Sequence, residues 1–324
     1  MKSPRSILLL QLLAAVTTSA VALLVAPLPV FAQNYQTIDP PGSTYTIARS
    51  INDNGQIVGS YQDSNHAGHG FLYNNGKYST IDVSGTDINS LGQIVGTSVG
   101  GGFLYSRGTY TTIEPPGGIN GDLYINKAGQ IVGTYRDGSG VDHGFLYSQG
   151  AYTTLDYPGA LDTYALAIND GGQIVGSHQD NNGLHGFLYS HGSYTSIELP
   201  GATYTYLTSI NKFGAIVGHY NLSSGHEQGF VYSNGTYTDI EFPGAVNTVP
   251  LSINDKGQVT GYYQTSSAID PQHAFVYSNG QYTSIDPPAG VDPIAFSINN
   301  SGQIVGYYSD NITNHGFLAT LPKK

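Results

Sequence analysis

Four histidines each stand thirteen residues before a carboxylate: His69 before Asp82, His143 before Asp156, His185 before Glu198 and His273 before Asp286. A histidine beside a carboxylate can act as a general base, or can supply two ligands to a metal ion. Catalysis needs one copy that differs from the rest, and a metal needs several copies converging on one point. These pairs recur in nearly identical surroundings. That favours a repeated structural device, a cross-strand pair worth roughly 0.2–1 kcal/mol. No catalytic residue and no metal ligand is assigned from them.

The elements that hold the pairs come from an internal repeat. Ile-Asn begins a copy at Ile51, Ile88, Ile125, Ile168, Ile210, Ile253 and Ile298, so the spacings are 37, 37, 43, 42, 43 and 45. Each copy runs Ile-Asn-x-x-Gly-Gln-Ile-Val-Gly, then Gly-Phe-Leu-Tyr, then Tyr-Thr-Thr-Ile-Asp, with local variation. A period of about 40–45 with four short strands per unit is the signature of propeller blades. The expected fold is all-β: a seven-bladed β-propeller of four-stranded antiparallel blades. The glycine of the second strand (Gly59, Gly176 and their equivalents) marks a close backbone approach. The asparagines Asn52, Asn89, Asn126, Asn169, Asn211, Asn254 and Asn299 read as turn formers.

The last hairpin of each copy sets its own register. Its loop centre is Asn75-Gly76, Arg107-Gly108, Gln149-Gly150, His191-Gly192, Asn234-Gly235 or Asn279-Gly280. An X-Gly pair in a two-residue loop signals a type I′ turn. Counting outward puts Tyr73 opposite Tyr78, Phe71 opposite Thr80, and each histidine opposite its carboxylate. Copy two departs with Gly101 opposite Glu114, and copy five with Gln228 opposite Glu241. The seventh copy stops after His315-Gly316-Phe317-Leu318 and lacks its fourth strand. The missing strand stands at the other end of the chain, as Tyr35 to Asp39. The N-terminal strand should therefore close the ring, hiding two sheet edges and setting Asp39 against His315.

With these residues in view, the chain resembles the bacterial extracellular HAF-repeat family. The His-Ala-Phe tripeptide stands at His273-Ala274-Phe275, and as His-Gly-Phe at His69, His143, His185 and His315. The resemblance spans residues 35–319. It implies an exported protein and brings no activity or catalytic residues to carry over.

Residues 1–32 read as a signal peptide: Lys2 and Arg5, then a mostly apolar run, then Val30-Phe31-Ala32 before the cut. Retention of the apolar run as an anchor is the alternative. Residues 33–324 are expected to form one seven-repeat domain, exported and monomeric, in the periplasm, at the cell surface or outside the cell. The formal charge of −11 becomes −13 once Lys2 and Arg5 are removed. That argues against nucleic acid and anionic lipid as partners. With no cysteine, disulfides and thiolate chemistry are excluded. No cofactor is expected. Asp137 to Asp142 and Asp180 to Gly183 carry oxygen ligands, but neither has the EF-hand spacing.

Function is sought where the copies differ. The loops joining strands two to three and four to one share one face and are rich in tyrosine. Tyr204 and Tyr206, with Tyr220 and His226 from the neighbouring loop, are the expected contacts for a carbohydrate-like ligand, by ring stacking and hydrogen bonding. The partner would be an extracellular glycan or a cell-surface component. An extracellular polysaccharide hydrolase or lyase using His219 or His226 with Glu227 is one alternative. A purely structural envelope protein is the other.

Overall fold

The structure, a computed structural model, describes residues 34–322 except 82, 99–100, 224, 266–270 and 289. The signal-peptide assignment and Asp82 lie outside the described residues. Twenty-eight strands form seven separate four-stranded antiparallel sheets, with no helix among the described residues. This is the expected seven-bladed β-propeller. Blade 5 is typical: Tyr204–Ile210 innermost, then Ile216–Asn221, Glu227–Ser233 and Thr236–Ile240 outermost.

The blades stack face to face, so both faces of each sheet are apolar. Phe71, Phe145, Phe187, Phe230, Phe275 and Phe317, from the third strands of six of the blades, are fully buried. The Ile-Val pair of the second strand, Val-Thr in blade 6, divides between neighbours. Ile57 packs in the cluster around Phe71, whereas Val58 belongs to the next cluster, with Phe103. Alternation along the strand sends adjacent side chains to opposite faces. A register shift in the inner strand, between Ala48 and Ser50 in blade 1, sits opposite the second-strand glycine. A Cβ at Gly59 would strike the carbonyl oxygen of Ile47, and one at Gly306 that of Ile294. The expected close approach is therefore a bulged inner strand.

The X-Gly hairpins behave as counted. Asn75 and Gly76 have φ of 49° and 82°, and the other five loops match. Tyr73 pairs with Tyr78 and Phe71 with Thr80.

Two devices close the ring. The N-terminal strand, Asn34–Ile38, is the outermost strand of blade 7 and pairs with Asn314–Thr320, setting Tyr35 against Ala319 and Thr37 against Phe317. The second device was not foreseen. Asn52 Oδ1 accepts from the amides of Asn54 and Gln56, which is the turn role. Its Nδ2 also donates across the blade boundary to the carbonyl of Asn89, at 2.8 Å. Asn89 donates to Asn126, Asn126 to Asn169, Asn169 to Asn211, Asn211 to Asn254 and Asn254 to Asn299. Asn299 donates to Asn52 at 3.0 Å and completes the circle. All seven asparagines are buried. Each ties its own turn to the next blade, which explains why aspartate never takes the position.

Candidate functional site

The histidine–carboxylate pairs form as counted wherever both partners are described. His143 Nδ1 lies 2.8 Å from Asp156, His273 Nδ1 3.1 Å from Asp286 and His315 Nδ1 2.7 Å from Asp39. His185 Nδ1 is 3.6 Å from Glu198. Sequence reasoning missed a second acid. His143 Nε2 faces Asp137 at 3.4 Å, His185 Nε2 faces Asp180 at 3.1 Å, and His315 Nε2 faces Asp310 at 3.4 Å. His69 likewise meets Asp63 at 3.1 Å. Each of these aspartates also caps its loop, as Asp137 does by accepting from the amides of Ser139 and Val141. Those carboxylates are occupied by N–H donors, so the loops are built as turns rather than as calcium cages.

A neutral imidazole has one N–H and can serve only one of two flanking carboxylates, whereas the imidazolium serves both. Burial lowers the pKa of His143, but its hydrogen bonds to Asp156 and Asp137 outweigh that and raise it. The same balance, with Asp39 and Asp310, raises His315. A raised histidine pKa gives stability that is complete below the ordinary value and lost as pH climbs through the folded one. The melting midpoint is therefore expected to fall between about pH 6 and about pH 8. Asp156→Ala should cost ~0.2–1 kcal/mol, reduce that slope and leave ligand binding intact. Melting that does not change over this interval, or lost binding at parental stability, would contradict the structural role.

Two ends of the ring compete as the binding face. At one end the Ile-Asn turns surround an open depression of about 450 Å³, lined by Asn52, Asn126, Asn211 and their equivalents. Its asparagine amides are spent on one another's turns, and Lys212 is paired with Asp255 at 2.9 Å. Little there needs a ligand.

The other end is different, and the difference lies in blade 5. Tyr204 and Tyr206 occupy alternate positions on the inner strand, so both project from one face. Their cross-strand partners are Asn221 and His219, and Asn221 in turn pairs with Glu227. All five side chains therefore share one face, turned toward blade 6, where the Asn247 side chain accepts from the Glu227 amide. The two tyrosine rings are 6.3 Å apart and nearly parallel, at 14°. Tyr204 Oη is 2.7 Å from His219 Nε2, and Glu227 is 3.8 Å from the same nitrogen. Burial drives the His219 pKa down to about 4, so the ring is neutral. Burial also raises Glu227 and Tyr204, with the Glu227 charge adding to the rise at Tyr204. Tyr262 of blade 6 is pushed up to about 12 by burial and the same carboxylate. Two buried atoms on this face, His219 Nδ1 and Asn221 Oδ1, have no hydrogen-bond partner.

The structure corrects one of the expected contacts. Tyr220 points to the opposite face, is 7% exposed, and packs against Phe230 in the core between blades. Tyr61, Tyr135, Tyr263 and Tyr308 hold the equivalent position and stack on the histidines of the repeat. The position is scaffold. His226 is exposed, in the loop beside Glu227. The residues that belong with Tyr204 and Tyr206 are His219, Asn221, Glu227 and Tyr262.

No family model and no curated protein matches the chain. Solved structures do. The β-propeller domain of the Trilobed protease from Pyrococcus furiosus has a TM-score of 0.61 at 9% identity, covering 87% of this chain and 95% of that one. TolB from Acinetobacter baumannii gives 0.52 at 14% identity, covering 70% of this chain and 62% of that one. An acylaminoacyl peptidase from Pyrococcus horikoshii gives 0.57 at 11% identity, covering 84% and 51%. The chain thus spans about three fifths of TolB and half of the peptidase. At these identities the likeness shows the fold alone. The Pyrococcus furiosus domain is described as having an open velcro topology. Here the N-terminal strand joins the last blade instead.

Proposed function

We propose that this is an exported, non-catalytic propeller of the HAF-repeat type that binds a hydroxyl-rich, carbohydrate-like ligand between blades 5 and 6. One observation carries the reading. Two buried polar atoms without partners, His219 Nδ1 and Asn221 Oδ1, lie on the same blade face as two near-parallel tyrosine rings. A buried group without a partner costs about 1–3 kcal/mol, which a ligand hydroxyl or a water would recover. Aromatic faces beside polar groups are the usual surface for a sugar ring, which is apolar above and polar at its rim. Among the described residues no helix is long and apolar enough to cross a membrane.

The hydrolase or lyase reading is less well supported. Its best residues are Tyr204, His219 and Glu227. Burial keeps the phenol protonated and the imidazole neutral, so neither is poised to exchange a proton near neutral pH.

The test is a broad glycan array probed with the parent and with the Tyr204→Ala/Tyr206→Ala variant. The parent should bind a defined subset, and the variant should lose that binding while melting within a few degrees of the parent. An array with no binder, or a variant that binds normally, overturns the proposal and leaves the structural-envelope reading in its place.

A further inference from the structure

Blade 3 carries a built-in comparison for the blade 5 face. Asp142 and Glu227 occupy the same position, the first residue of the third strand. Each pairs across the ladder with the last residue of the second strand, which is Arg136 in blade 3 and Asn221 in blade 5. In blade 3 the guanidinium grips the carboxylate with two bonds, of 2.8 and 2.7 Å, and Asn120 adds a third. Asp142 is buried and its pKa is lowered, because the Arg136 hydrogen bonds outweigh desolvation. That is how this fold satisfies a carboxylate at this point.

In blade 5 the carboxylate is kept and the cation is gone. Asn221 is too short and carries no charge. Among the described residues no lysine or arginine pairs with Glu227, and the histidine it meets, His219, is neutral. The arginine of the ring interior, Arg49, is committed to Asp122 at 3.6 Å and lies over the Phe296 ring. Two polar atoms on the Glu227 face are left without a partner. Asn221 Oδ1 accepts only, and His219 Nδ1 accepts when Nε2 carries the ring proton. Tyr204, Tyr206 and Tyr262 add π faces, which attract a cation. A hydroxyl would fill some of these sites. A positively charged group with N–H donors meets the Glu227 carboxylate as well.

We propose that the ligand of the blade 5 face presents an ammonium group, which docks on Glu227 where the Arg136 guanidinium docks on Asp142 in blade 3. The chemical class is an amino sugar with a free amine, as in a glucosamine oligomer. This rests on the carbohydrate-binding reading and narrows it. The raised pKa of Glu227, caused by burial, is what a carboxylate lacking its cation should show.

The experiment is an equilibrium titration, at a pH where the amine is charged, with glucosamine, N-acetylglucosamine and glucose oligomers of equal length. The parent should bind the free amine at least tenfold more tightly than the acetylated oligomer. Glu227→Gln should erase that ratio while remaining folded by its melting curve. Asn221→Arg serves as a second variant, because it rebuilds the blade 3 pair from within. It should abolish amine preference even if Glu227→Gln does not fold. Equal affinity for the amine and its acetylated analogue in the parent overturns the ammonium proposal and leaves carbohydrate binding standing. A ratio that survives either folded variant overturns it too. No binding by any sugar oligomer or array glycan sinks both.

Discussion

Deleting residues 34–39 is expected to lower the melting midpoint by roughly 10 °C or more, or to yield a protein that aggregates. The size follows from what the strand covers. Ile38 is fully buried, which alone is worth about 1.5–3 kcal/mol. The ladder to Asn314–Thr320 aligns five residue pairs, and each lost hydrogen bond costs about 1 kcal/mol. Asp39 takes its ion pair with His315 away as well. What remains is a bare third strand carrying Phe317 and Ala319, both buried in the parent. Terminal residues are ordinarily the cheapest to remove. Here they hold the two ends of a ring together. A truncated protein that stays monomeric and melts like the parent would show that closure does not depend on this strand.

Asn169→Asp is expected to cost ~3 kcal/mol or more, a fall of roughly 6–10 °C in the midpoint. Aspartate is as good a turn former as asparagine, so a turn role alone predicts little change. It keeps the acceptor that Gly171 and Gln173 need. It loses the donor to Gln173 Oε1 and to the carbonyl of Asn211, and sets a carboxylate against both oxygens. The site is 4% exposed, so water cannot relieve the clash. Thermal melts of Asn169→Asp beside Asn169→Ala decide the matter. An aspartate variant as stable as the parent would mean that the asparagine circle is incidental geometry.

Much of this was legible because the sequence repeats. Turn residues and hairpin register are local properties, and a count along one copy is enough to pair His143 with Asp156. Ring closure was legible from a mismatch, a strand absent after Phe317 and present at Tyr35. Contacts that cross between blades were not. The Asn52 turn role shows within one copy, but its bond to Asn89 appears only when the copies are set side by side. The loop acid at His69, His143, His185 and His315, such as Asp137, was hidden because it arrives from a loop of variable length. The site itself was half legible. Tyr204 and Tyr206 stood out because they follow Pro200-Gly201 in a stretch crowded with hydroxyl groups. Tyr220 misled, although tyrosine recurs there in most copies, and recurrence marks scaffold. The neighbouring His219 is the exception, found in one copy, and it is the residue that shares the face of Tyr204 and Tyr206.

Residues that repeat hold the ring, and residues that break the repeat are the ones proposed to bind. A crystal structure with the best array ligand bound tests that division most directly. The predicted result is ligand density between blades 5 and 6, in contact with Tyr204, Tyr206 and Glu227, with the asparagine circle unchanged. Density at the Asn52 to Asn299 end, or along the outer strands, would contradict it.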